Sequence, residues 1–179
     1  MRRRKAMAGD LTAKHNRRIN ENESEVFAFM ALLKACTVRK ALNEGCRIHA
    51  HIVKKGLLEK SPYLGSSLIS MYAKCGVLSK AKEVLENLPI RNVVSWSALI
   101  SGYAQLGKDD IVIDLFNRML GDGIEPDSVV FTVVLSACSH VGLVDKGQMY
   151  FISMSAIYGI APTFEQQTCI VDILSRAGQ

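Results

Sequence analysis

The feature that most constrains this chain is a phrase that recurs and closes, each time, on a glycine. Met71-Tyr-Ala-Lys-Cys-Gly76, Gly102-Tyr-Ala-Gln-Leu-Gly107, Ser136-Ala-Cys-Ser-His-Val-Gly142 and Ile173-Leu-Ser-Arg-Ala-Gly178 resemble one another, and their closing glycines stand 31, 35 and 36 residues apart. Lys40, at the end of Ala35-Cys-Thr-Val-Arg-Lys40, holds the equivalent place another 36 residues upstream. Marks at such a period indicate tandem copies of one small unit. Glycine accepts left-handed backbone angles without steric cost, so it suits the point where a helix stops and the chain turns back.

Between the marks the apolar spacing is helical. Val94, Trp96, Leu99, Ile100, Tyr103 and Ala104 recur at steps of two to four, and after Gly107 a second run holds Ile111, Val112, Leu115, Phe116, Met119 and Leu120. Gly123 and Pro126 break that second helix before the next unit. Each unit is therefore a helix–turn–helix hairpin. The pattern predicts units over 26–61, 62–92, 93–127 and 128–163 and a half unit from 164, with about nine helices and essentially no strand. One hairpin cannot bury its apolar face alone, so the fold expected is all-α: hairpins stacked into a right-handed superhelical solenoid. The half unit lacks its second helix, so its outer face is expected to expose apolar surface.

Composition narrows the function. The 179 residues are 49% hydrophobic and 22% charged, which is too apolar for disorder. No apolar run reaches the length of a membrane span, the longest being about Val129 to Cys138. Five cysteines (Cys36, Cys46, Cys75, Cys138 and Cys169), odd in number and without a CxxC pair, read as buried free thiols rather than disulfides or a zinc site. The formal charge of +5 is uneven. Residues 1–24 hold seven Lys/Arg against three Asp/Glu, whereas 25–179 hold fifteen against fourteen. Basicity therefore belongs to a leader, residues 1–25, expected to be disordered. Arg2 to Arg4 suit an organellar transit peptide; Asp10, Glu21 and Glu23 do not.

Two families are built from helix pairs near this period. The tetratricopeptide signature requires a fixed 34-residue step and a Gly where Ile100 stands. The chain instead closely resembles plant pentatricopeptide repeat (PPR) proteins of the PLS subclass, whose long, short and standard units alternate. Leu32-Leu-Lys-Ala-Cys36 with Ile48-His-Ala50 and Val53-Lys-Lys-Gly56 resembles a long unit. Leu68-Ile-Ser-Met-Tyr-Ala-Lys-Cys-Gly76 with Arg91-Asn92 resembles a short one, and Val93-Val-Ser-Trp-Ser-Ala-Leu-Ile-Ser-Gly-Tyr-Ala104 through Gly123-Ile-Glu-Pro-Asp127 a standard one. Val134-Leu-Ser-Ala-Cys-Ser-His-Val-Gly-Leu-Val144 with Pro162-Thr163 resembles the last long unit before a C-terminal extension, so the chain reads as truncated there.

The resemblance implies a plant RNA-binding protein of the mitochondrion or chloroplast that holds single-stranded RNA along its first helices, about one base per repeat. Bases are read by the fifth and last residues of a unit. Carried across, these are Ser66 with Asn92 (adenine), Ser97 with Asp127 (guanine), and the weaker pairs Thr132 with Thr163 and Met30 with Ser61; Thr168 would be the fifth residue of the half unit. Asn offers a donor and an acceptor, while Asp accepts only, which suits the N–H donors of guanine. Val94 and Val129, at second positions, would sandwich the bases.

Blander readings stand beside these. Asn92 and Asp127 precede helices and could simply cap them; Ser66 and Ser97 could be small packing residues. Trp96 reads as core. His49 and His51, two apart, face different sides of a helix and make no metal site. Asp109, Asp110 and Asp114 suit a helix N-terminus. The zinc deaminase domain that ends many PLS proteins needs an HxE element and a later CxxC, and this sequence has neither. No enzymatic activity, cofactor, metal or membrane is expected. The function expected is RNA recognition in editing or processing, with other PPR or editing-complex proteins as further partners; the alternative is a helical scaffold for protein–protein interaction.

Overall fold

The computed structural model describes residues 23–59, 61–176 and 178. Among them are nine helices and no strand: α1 over residues 23–39, α2 Leu42–Lys54, α3 Pro62–Lys74, α4 Leu78–Asn87, α5 Val93–Gln105, α6 Asp109–Gly121, α7 Ser128–Val141, α8 Val144–Ala156 and α9 Phe164–Arg176. They pair in order as four antiparallel hairpins followed by α9. One expectation needs correction: residues 23–25 belong to α1 and not to a leader. Glu25 forms an ion pair with Lys55, the residue just after α2, and Val26, Phe29 and Met30 pack on the core, which anchors this first turn. The rest of the expected leader lies outside the described residues.

The first-to-second-helix turns share one hydrogen-bonding scheme. At Gly142 (φ 75°), the N–H of Gly142 reaches Ser139 O and that of Leu143 reaches Cys138 O at 2.9 Å. Such a left-handed turn satisfies the carbonyls left open at a helix end. Lys40 makes the same turn at φ 51°, with Ala41 N–H on Cys36 O at 2.9 Å. The spacing argument that equated Lys40 with the glycines therefore holds in the backbone. The short unit also has a structural origin. α4 has 10 residues where α2, α6 and α8 have 13, and it ends on extended Leu88, ahead of Pro89, rather than on a glycine turn.

The first helices pack directly on one another, α3 on α5, α5 on α7 and α7 on α9. Each second helix sits between the first helix of its own hairpin and that of the next. Among the described residues no second helix packs its backbone on another; side chains bridge them instead, as where Phe116 meets Tyr150 edge-on at 4.9 Å and Arg118 reaches Glu86. Tight spacing on one side and wide spacing on the other curves the stack, so the first helices line its inner face. The core runs without a break through Leu68, Trp96, Phe116 and Phe131, and burying each such side chain contributes about 1.5–3 kcal/mol. α5 approaches α3 so closely that a Cβ on Gly102 would lie 2.6 Å from the Cβ of Ala73.

The cysteines are all free, but not all buried. Cys36 and Cys138 are core residues, Cys75 and Cys169 are half-buried, and Cys46 is exposed. α9 exposes Phe164 and Val171.

Candidate nucleic-acid interface

The curvature opens a groove of about 740 Å³ across the inner face of α1, α3 and α5. Phe27, Met30 and Lys34 line it from α1; Tyr63, Ser66, Ser70 and Lys74 from α3; Val94, Ser97 and Ser101 from α5. Its charged lining side chains are both lysines. Small hydroxyl residues form the floor and Lys34 and Lys74 stand towards the C-terminal ends of their helices, beside exposed Val38, while exposed Phe27, Tyr63 and Val94 stand towards the N-terminal ends. A single strand bears both features, a line of phosphates and a line of flat bases.

Second positions of the units carry the apolar groups. Val94 is 46% exposed and Val129 56%, so much of each side chain lies outside the core. Phe27 (70%) and Tyr63 (60%) occupy the same register and were missed. Counting two residues into the units at 26 and 62 finds both, whereas searching for valine does not.

The expected readers differ in how they are presented. Ser97 lines the groove, half-buried, and its hydroxyl makes no hydrogen bond among the described residues. Ser66 also lines it, but is buried, and its hydroxyl donates to Pro62 O at 3.2 Å. Asn92 caps α5: its Oδ1 accepts from Ser95 N–H at 2.9 Å, and its own N–H donates to Ser95 Oγ at 3.0 Å. Asp127 caps α7 through Oδ1, which accepts from Val130 N–H at 2.9 Å. Capping thus uses one polar atom of each side chain and leaves the other. The Nδ2 of Asn92 and the Oδ2 of Asp127 have no partner among the described residues, and the cap fixes the rotamer that presents them.

The long-unit pair is bound up in another way. Thr132 Oγ donates to Ser128 O at 2.9 Å and accepts from Gln166 Nε2 at 2.9 Å. Thr163, just ahead of α9, donates its backbone N–H to Gln166 Oε1 at 2.8 Å, while its hydroxyl accepts from Gln166 N–H at 3.4 Å. Thr-x-x-Gln is the sequence of a capping box, and that signal in Thr163-Phe-Glu-Gln166 went unread. Thr168 is exposed and donates to Phe164 O at 2.9 Å. Met30 stands in the groove, and Ser61 is buried at the start of α3.

Other polar groups serve the frame. His49, half-buried, shares a 2.9 Å hydrogen bond with the Tyr72 hydroxyl, which lies 3.6 Å from Cys46 Sγ; His51 is exposed. Burial, reinforced by nearby Lys80, pushes the His49 imidazole below its ordinary range. Burial likewise raises Cys138 to about 11, so this thiol stays protonated. Trp96 is fully buried, with Arg118 5.9 Å from its ring centre. Asp109 and Asp110 begin α6, and Asp109 also meets His140. Among the described residues no three His, Cys, Asp or Glu side chains gather to hold a metal ion, and no helix is long and apolar enough to cross a membrane.

Fold and groove together define a class: an all-α solenoid of helical hairpins whose first helices line an open face. Sequence models narrow it. The PPR repeat family model matches residues 91–140, and the PPR repeat model matches 66–93 and 129–156. A pentatricopeptide repeat-containing protein of Arabidopsis thaliana is 44% identical over 149 residues, covering 83% of this chain and 20% of that protein. A second from the same plant, named as mitochondrial, is 42% identical over 161 residues, covering 90% and 21%. The chain spans about a fifth of the length of these relatives. Two solved structures share the fold. The pentatricopeptide repeat protein PPR10 from maize superposes with a TM-score of 0.67 at 22% identity, over 86% of this chain and 22% of that one. The PPR domain of Arabidopsis thaliana protein-only RNase P 1, solved in complex with tRNA, gives 0.66 at 14% identity, over 82% and 78%. The chain belongs to the pentatricopeptide repeat family, of the plant type.

Proposed function

We propose that this chain is a non-catalytic recognition module that holds single-stranded RNA along the inner face of α1, α3, α5 and α7. The observation that carries the reading is the composition of the groove, where both charged lining side chains are lysines although residues 25–179 balance to +1. Lys34 and Lys74 supply the phosphate attraction that the overall charge lacks. Phe27, Tyr63, Val94 and Val129 supply flat or compact surfaces against which bases stack. Asn92 and Asp127 supply the oriented polar atoms that distinguish adenine from guanine.

The relatives and neighbours support the same reading. PPR10 has also been solved with an 18-nucleotide psaJ RNA element. One curated relative is named as mitochondrial, and Arg2 to Arg4 suit import, so we place the protein in a plant organelle, in transcript editing or processing. Within an editing complex these repeats supply recognition.

Two coded nucleotides and a few stacking contacts make weak binding, micromolar at best or about 8 kcal/mol. Fluorescence anisotropy of the full chain on short labelled RNAs tests the reading. Single strands carrying an adenine–guanine step in a pyrimidine background should bind, and the same sequence in a duplex should not. Folded protein that binds no single strand would leave the groove as a scaffold surface for protein partners and would overturn the RNA reading.

A further inference from the structure

The third residue of a unit separates the reading units from the last one. It is Ser95 in the unit that starts at Val93, Val130 in the unit that starts at Ser128, and Gln166 in the half unit that starts at Phe164. The hydrogen bonds of Ser95 stay with Asn92, and Val130 gives only its backbone N–H, to Asp127. Neither reaches back to the fifth residue of the preceding unit: Ser97 is left to the groove, and the Ser66 hydroxyl bonds only within its own helix, to Pro62 O, and keeps its lone pairs. Gln166 reaches both partners. Its Oε1 holds the backbone of Thr163, and its Nε2 lies 2.9 Å from Thr132 Oγ and 2.8 Å from Ser128 O.

We propose that Gln166 determines where base reading stops: it withdraws the Thr132–Thr163 pair, so the recognised step ends with the nucleotide read by Ser97 and Asp127. The inference rests on the RNA-reading function proposed above. The Gln166 side chain is fully buried and its amide is satisfied at both ends. The same Nε2 also lies 3.1 Å from Ser128 Oγ. With its proton on Ser128 O and one lone pair on Gln166, the Thr132 hydroxyl keeps a single lone pair, set against a buried amide, and a base that took it would have to displace bonds already made. Thr163 has no second polar atom to offer once its hydroxyl serves the cap, unlike Asn92 and Asp127. A buried Gln also ties α9 to α7, so one side chain both docks the half unit and silences the unit before it.

The test compares base preference at the nucleotide 3′ to the adenine–guanine step, varied through all four bases and read by anisotropy with the full chain. The unaltered protein should bind the four RNAs within about twofold, while discriminating by about fivefold or more at each position of the step. The double variant Gln166→Ser/Thr163→Asn gives the last unit the chemistry of Asn92 and Ser95, and should gain about a fivefold preference for adenine there. Gln166→Met fills the same volume without polar atoms, and should change the preference at that nucleotide even if the double variant fails to fold. Discrimination by the unaltered protein at the third nucleotide as sharp as within the step would overturn the inference. So would folded variants that stay indifferent there. Loss of discrimination within the step itself would overturn the RNA reading, and this inference with it.

Discussion

Lys40 occupies a backbone conformation that the equivalent turns give to glycine. At φ 51° its Cβ crowds the carbonyl that follows, a strain of roughly 1–2 kcal/mol that glycine escapes. Glycine loses more freedom on folding, which takes back part of the gain. Lys40→Gly should therefore stabilise the protein by about 0.5–1 kcal/mol, seen as a higher urea midpoint at unchanged slope. Gly142→Ala should lose about 1 kcal/mol in the same assay. The position of Lys40 was legible from spacing alone. The dual use of Asn92 and Asp127 was not, since a sequence shows a cap or a reader but not which of two oxygens or nitrogens each employs.

Elements show where the solenoid tolerates little. α3 and α5 meet across Gly102 and Ala73, and the 2.6 Å that a methyl group would have to share leaves no room for it. Gly102→Ala should destabilise by about 1–3 kcal/mol, with thermal unfolding as the measure. The α2–α3 contact carries a pH dependence. An ordinary histidine takes its proton near 6.5, and burial together with Lys80 lowers His49 below this. The unfolded chain then binds more protons than the folded one, so the contribution is complete above 6.5 and is lost as pH falls through the lower folded value. Melting temperature should fall from about pH 7 to 5, and His49→Gln should flatten that limb. Helix positions were legible because the 3.6-residue apolar period is a local property. The early start of α1 was not, because Glu25 is anchored by Lys55, thirty residues on, through a pairing that no local pattern contains.

The whole molecule separates total charge from its placement. Residues 25–179 sum to +1, which by itself argues against nucleic acid, yet curvature brings Lys34 and Lys74, forty residues apart in adjacent units, into one groove. The Lys34→Gln/Lys74→Gln double variant should weaken RNA binding and flatten its dependence on salt. The expected change is a slope smaller by about 1.4 in log Kd against log salt, if each lysine neutralises one phosphate. The exposed Phe27 and Tyr63 were hidden for a related reason: aromatic residues read as core until the stack shows which helix face has no neighbour.

The measurement that bears most directly on RNA reading by these side chains is the base preference of Asn92→Asp. Asp127 already caps α7 through one carboxylate oxygen, so an aspartate at 92 keeps the α5 cap and changes only the atom left for the base. Anisotropy on RNAs that differ at that single nucleotide should show adenine preferred by the unaltered chain and guanine by the variant, by about fivefold or more in each case. An unchanged preference in a folded variant, or no preference in either protein, would contradict the account.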